Sequence, residues 1–302
     1  MGFFGSYQNA GPGIDPHAPK KKPFFRFWEL MGRNLGKLFG LNLIFTVLHA
    51  PLMLSLIIYV ETDNKLTGFV TVALLALQFV LEGPIMAGCT RVLRLIVLDK
   101  AFFLGEEFKK GFSRNFGTAL LIWVIDAVVL ASVYAGFKVY PQLAEAYQTK
   151  LVYVPLVISL AVAMLLLFMN YYLLPLQVAT KLRRRSVFKN AFMLACLAPK
   201  QCIITTLGCA FMLGITLLLL SVSSLFMFIT AFFPAAFIGY LVLFVNYPVI
   251  QKYVINPFYA DSGEQNPESE EEPESEERLF TDRGGTETPI RQQKQKRGKT
   301  IS

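Results

Sequence analysis

His49, Glu82 and Asp126 are ionisable side chains set in stretches that are otherwise apolar for roughly 20 residues each. A charged group in hydrocarbon costs at least ~2.5–3.5 kcal/mol, so all three are expected to face other protein rather than lipid. Counting from the ends of the stretches puts His49 and Asp126 at matching depth and Glu82 nearer one end. Their depth therefore permits a His49–Asp126 contact. Asn170 and Asn246 add amides among apolar neighbours and read as interhelical hydrogen-bonding groups. Two chemistries are open to the cluster His49, Glu82, Asp126 and Asn170. One is a proton relay or polar substrate cleft, and the other is hydrogen bonding that fixes packing, with Pro51, Pro84 and Pro175 kinking the helices alongside. So few groups, scattered over separate segments, favour packing.

Other chemistries are excluded by what the chain lacks. There is no G-x-x-x-x-G-K-[ST] and no H-E-x-x-H. His17 and His49 are the only histidines, which rules out a multi-histidine metal site, and no serine is placed to form a hydrolytic set with His49. Neither a metal nor a cofactor is expected, and the chain reads as non-enzymatic. Cys89, Cys196, Cys202 and Cys209 contain no C-x-x-C pair and read as buried thiols.

The elements that must hold these groups follow from hydropathy. Hydrophobic residues make up 54% of the 302, mean hydropathy is +0.48, and only 17% are charged, against about 25% in soluble domains. A hydrocarbon core of ~30 Å takes about 20 helical residues to cross. Six such spans are expected, at about 39–60, 66–89, 116–139, 151–179, 203–222 and 229–250. The turn between the last two is the least defined boundary. The expected fold is all-α: a polytopic membrane protein of six transmembrane helices with short amphipathic interfacial helices and a disordered C-terminal tail.

Bases fall on alternate sides of the spans. The N-terminal arm and the segments 90–115 and 180–200 carry six each, whereas the intervening links carry only Lys65, Lys138 and Lys150. By the positive-inside rule both termini are expected in the cytoplasm. The excess of cations flanks apolar spans and is not gathered on a soluble face, so nucleic acid is not expected as a partner.

Three segments on the basic side read as amphipathic helices lying in the interface. The first, after a disordered basic arm at 1–23, sets Phe24, Phe27, Trp28 and Met31 against Arg26, Glu29 and Arg33. A second carries Leu104, Phe108, Phe112 and Phe116 every fourth residue, and a third contains Val187, Phe188, Ala191 and Phe192, with Ser186 as its expected cap. Phe108, Phe112, Arg183, Arg184 and Arg185 are the expected cytoplasmic interaction surface. Residues 24–259 form the transmembrane domain. From 260 to 302 the chain is Glu/Ser/Pro-rich and then basic, and is expected to be disordered. Residues 1–23 show no apolar h-region, so no cleaved signal peptide is expected. Met1-Gly2-Phe3-Phe4-Gly5-Ser6 fits a myristoylation pattern poorly because a bulky Phe follows the glycine.

Several short runs resemble the YesL-like family of bacterial integral membrane proteins. They are Phe24-Phe25-Arg26-Phe27-Trp28-Glu29-Leu30, Leu41-Asn42-Leu43 with Pro51 beyond, and Gly83-Pro84 through Ala87-Gly88 into Val92-Leu93-Arg94. Phe108-Lys109, Phe112, Asn115-Phe116 and Phe188-Lys189-Asn190-Ala191 extend the resemblance across about residues 23–259. It implies a bacterial plasma-membrane protein with an accessory role in ATP-driven carbohydrate uptake, its partners being the bilayer and transporter subunits. It assigns no catalytic residue. Two other roles stay open: a small solute or proton-coupled transporter using His49, Glu82 and Asp126, and a membrane organiser acting through the interfacial helices.

Overall fold

A computed structural model describes residues 22–61, 65–222, 234–263, 266 and 268. These are helical with no strand: α1 (Pro23–Arg33), α2 (Leu35–Leu48), α3 (Ala50–Glu61), α4 (Lys65–Val97), α5 (Leu104–Tyr147), α6 (Val154–Ala179), α7 (Arg184–Leu197), α8 (Pro199–Val222), α9 (Pro234–Ile250) and α10 (Asn256–Ser262). A 3-10 turn at Lys150–Tyr153 leads into α6, and a π turn at Gln251–Ile255 joins α9 to α10. Five helices are long and apolar enough to cross a membrane, and six spans result if α2 and α3, bent by 43°, count as one. The chain is a membrane-embedded helical protein.

Prolines open many of these helices, where a missing N–H costs nothing because the first turn has no intrahelical acceptor for it. Pro23, Pro199 and Pro234 each stand first, and Pro51 and Pro155 second. Pro51 explains the bend between α2 and α3, since it leaves the Val47 carbonyl without its usual donor four residues on. The His49 N–H bonds the carbonyls of Phe45 and Thr46, and the ladder resumes with Met53 N–H to His49 O, 3.1 Å in each case. Pro84, Pro141, Pro175 and Pro248 sit inside continuous helices.

The basic-side segments differ from expectation in a consistent way. The polar stretch 90–115 is not a loop with its own surface helix. α4 continues to Val97 and α5, 44 residues or ~66 Å at 1.5 Å per residue, starts at Leu104 and runs unbroken into the third span. Only 98–103 breaks the chain. There α4 ends in a Schellman cap, with Lys100 N–H on Leu95 O, Asp99 N–H on Ile96 O and Asp99 left-handed at φ 55°. Arg33 of α1 pairs with the Asp99 carboxylate. In α5, Glu106 and Glu107 occupy the first turn, where the helix dipole favours anions, and both bond Lys110. α7 is a separate helix as expected, but Arg183 is its N-cap and Ser186 lies in its first turn. The expected turn near 223–233 and most of the tail lie outside the described residues. Glu268, assigned by sequence to the disordered tail, instead bonds the bundle.

Buried side chains gather toward the base-rich end. Leu38, Leu41, Ile85, Val92, Ile96, Leu173, Leu176, Val187, Tyr240 and Tyr247 are all closed from solvent. Toward the other end, α5 and α6 turn Val128, Leu130, Tyr134, Val157 and Ile158 outward, as lipid-facing surfaces do. α4 and α9 are central: α4 packs on α3, α5, α6 and α9, and α9 on α2, α4, α6 and α8. The α4–α5 seam is built of small residues. Gly88 faces the Phe108 ring, Gly111 faces Ala87 O and Arg91, and Gly83 lies against the Ala119 carbonyl.

One buried contact ties the ends of the bundle together. The Asn42 amide oxygen on α2 accepts the Ala236 N–H at 2.7 Å, so a side chain 194 residues away caps the first turn of α9. Asn42 is 1% exposed, so the contact is closed from solvent. Asn42→Leu should lower stability by about 1–2 kcal/mol, the value of an N-cap. Thermal unfolding of the detergent-purified protein measures this, and an unchanged midpoint would show the cap to be dispensable.

Candidate functional site: the polar pairs inside the bundle

Among the described residues the intramembrane ionisable groups are arranged as two separate pairs. His49 does not meet Asp126. Its Nε2 lies 2.9 Å from Glu82 Oε2, both side chains being about seven-eighths buried at 12% and 13% exposure. The reason is which helices touch: α3 packs along α4, so the residue at the α2–α3 break faces α4, while Asp126 looks the other way toward α6. Gln78, one turn before Glu82, donates Nε2–H to Glu82 Oε2 at 2.9 Å. The His49 Nδ1 bonds the Phe45 carbonyl at 2.7 Å, and the Phe45 ring covers the imidazole at 4.0 Å between centroids.

Asp126 is paired with Asn170, whose Nδ2 donates to Oδ1 at 2.8 Å across the α5–α6 contact. Asn246, buried in α9, donates to Thr205 of α8 at 2.8 Å. Asn170 and Asn246 are thus interhelical hydrogen-bonding groups, as expected. The His49–Glu82, Asn170–Asp126 and Asn246–Thr205 contacts each join neighbouring helices, while the amide oxygens of Gln78, Asn170 and Asn246 are buried without a hydrogen-bond partner.

At the base-rich end a third arrangement appears that sequence reasoning missed. Arg94 of α4 donates Nε–H to the Tyr247 hydroxyl at 2.7 Å and pairs with Glu268. Tyr247 donates in turn to Glu268 at 2.7 Å. Arg91 pairs with Glu107 at 2.7 Å. Gln177 donates to Asn115 at 3.3 Å, and Arg184 to Thr118 at 3.1 Å. Arg94 and Tyr247 lie 153 positions apart, and no local spacing marks them as partners.

The expected interaction surface is only partly exposed. Phe108 is buried at 8% against Gly88 and is not presented to a partner, and Phe112 is half-buried between Phe108 and Phe116. Both lie on the part of α5 that the sequence reading assigned to a separate interfacial helix. Arg183, Arg184 and Arg185 are all exposed, and Arg184 also donates to Thr118. α7 turns Phe192, Met193 and Leu197 outward, with Arg185 and Lys189 beside them. Cys89 and Cys202 are buried as expected, but Cys196 on α7 is exposed.

A cleft of about 490 Å³ opens between α4, α6, α8 and α9, walled mainly by apolar side chains such as Phe45, Met86, Leu93 and Leu174. Of its polar wall groups, Thr90 bonds Met86 O, Tyr171 bonds Thr206, and Asn170 donates to Asp126 while its Oδ1 has no partner. No group of three or more His, Cys, Asp or Glu side chains among the described residues is arranged to hold a metal ion. No protein-family model matches the chain, and comparisons with curated proteins and with solved structures likewise give no match. Fold and site together define an α-helical, multi-span membrane protein with paired polar groups in its interior.

Proposed function

We propose that this chain is a non-enzymatic accessory or regulatory component of a membrane transport system in a bacterial plasma membrane. The positive-inside rule then sets its base-rich end and both termini in the cytoplasm. Carbohydrate uptake is the system that the YesL-like resemblance implies. The observation carrying the reading is that the intramembrane ionisable groups His49, Glu82 and Asp126 are each bonded to a neighbour inside the bundle. His49 meets Glu82, Asp126 meets Asn170, and the cleft between helices is apolar. Ion and solute pathways need a run of polar groups to replace hydration, whereas the unpartnered amide oxygens of Gln78, Asn170 and Asn246 lie on three different helices. The base-rich end meanwhile offers α7, with Phe192, Met193 and Leu197 next to Arg185 and Lys189, as a contact face for a partner subunit.

Two measurements decide between an accessory and a transporter. Crosslinking in native membranes followed by mass spectrometry should recover transporter subunits, and removal of residues 186–198 should lose them. Asp126→Asn, with abundance unchanged, should leave solute uptake within about twofold of wild type. Loss of uptake in that variant, with partners still recovered, would transfer the role to a transporter that uses the intramembrane acids.

A further inference from the structure

We propose that His49 and Glu82 form an intramembrane proton-binding site that holds one exchangeable proton. The argument is independent of the accessory reading and rests on counting hydrogens. The Phe45 carbonyl oxygen can only accept, so the His49 Nδ1 at 2.7 Å from it carries a hydrogen. The other ring nitrogen faces Glu82 Oε2 at 2.9 Å. A bare nitrogen lone pair against a carboxylate oxygen is repulsive, so a second hydrogen lies between these two atoms. It is either on Nε2, giving an imidazolium–carboxylate pair, or on Glu82, giving a neutral acid and imidazole. Both forms are net neutral, and each holds one proton more than neutral histidine beside an ionised glutamate.

The surroundings support the loaded form. Gln78 donates to the same Glu82 oxygen, and the Phe45 ring closes one face of the imidazole. Among the described residues no other charged side chain bonds either group. Cys89, further along α4, is the remaining titratable side chain near Glu82, and Asp126 of α5 is taken by Asn170. The unloaded pair would carry a net negative charge in a largely apolar setting. It would also have one hydrogen for two acceptors, so the bond to Phe45 or the bond to Glu82 is lost. The Phe45 bond closes the last turn of α2, at the 43° break, and the Glu82 bond ties that break to α4. Proton occupancy thus determines whether the break is tied on both sides.

His49 is one of only two histidines, which makes the site directly readable. A His17→Asn chain with ¹⁵N-labelled histidine, reconstituted in lipid nanodiscs, reports the two ring nitrogens by nuclear magnetic resonance. Infrared difference spectra against Glu82→Gln report any protonated Glu82 carboxyl. At pH 7 the expected result is either two protonated ring nitrogens, or one on Nδ1 together with a protonated-carboxyl band that Glu82→Gln abolishes. Raising the pH should remove one proton in total, and the tautomer that remains shows which bond is released. A single protonated ring nitrogen at pH 7 with no carboxyl band would overturn the proposal, as would Nδ1 without its hydrogen at that pH. The single-site Glu82→Gln change nearly conserves volume, and His49→Gln, which removes the facing nitrogen and should shift a Glu82 carboxyl band instead of removing it, serves if that variant fails to fold.

Discussion

Gly83→Val should leave little folded protein in the membrane, and Gly83→Ala should unfold at a clearly lower temperature than wild type. A Cβ at Gly83 would stand 2.4 Å from the Ala119 carbonyl oxygen, 2.7 Å from its carbon and 2.9 Å from the Leu120 nitrogen. These are backbone atoms of α5 and cannot rotate away, so α4 and α5 must separate along their whole seam. Overpacking of this kind costs about 1–3 kcal/mol for small additions. An alanine in mid-helix recovers roughly 0.5–1 kcal/mol of intrinsic propensity relative to glycine, which does not offset it. Gly214→Ala is the matched control, because nothing lies within 4 Å of its Cβ position. It should be neutral or slightly stabilising. Size-exclusion profiles and thermal unfolding in detergent read both. An unaltered midpoint for Gly83→Ala would mean that the α4–α5 seam yields more readily than its backbone contacts imply.

Arg94→Met should cost about 3 kcal/mol, the low end of what breaking a buried ion pair costs. The Arg94 and Glu268 side chains are 13% and 9% exposed, and Tyr247 bonds both. Removing the guanidinium leaves a carboxylate and a phenol facing a space with no cation. Glu268→Gln should cost less, because Arg94 keeps Tyr247 and the amide can still accept. The ordering of the two variants in thermal unfolding is the test. Equal effects would show that Glu268, not Arg94, holds the cluster together, and no effect from either would make the contact incidental. The pair also docks a residue past α10 on the bundle, since the Glu268 side chain is only 9% exposed.

The readable and unreadable parts of the site divide along one line. His49, Glu82, Asp126 and Asn170 were recognisable because a polar side chain in an apolar run is expensive anywhere, whatever it touches. Their pairing was not. Depth along the membrane follows from counting residues, but azimuth around the helix axis and the identity of the neighbour do not. Asp126 matched His49 in depth and still faces Asn170. Asn42 and Arg94 show the same limit: each meets a partner more than 150 positions distant, Ala236 and Tyr247 respectively. The proton site at His49 depends on Phe45, an ordinary apolar residue in sequence, contributing its carbonyl at a break in the helix.

Helix continuity was misread at 90–115 for a related reason. Charge and glycine there resemble a loop, yet Gly111 is the point at which α5 approaches Ala87 and Gly88 closely. From the sequence alone came solvation by lipid, the helical class and the base-rich end, because composition and local backbone chemistry determine those. Tertiary structure decided which polar groups meet, which glycines are seams rather than breaks, and where Glu268 docks. Those outcomes depend on contacts between distant segments, which local periodicity does not specify.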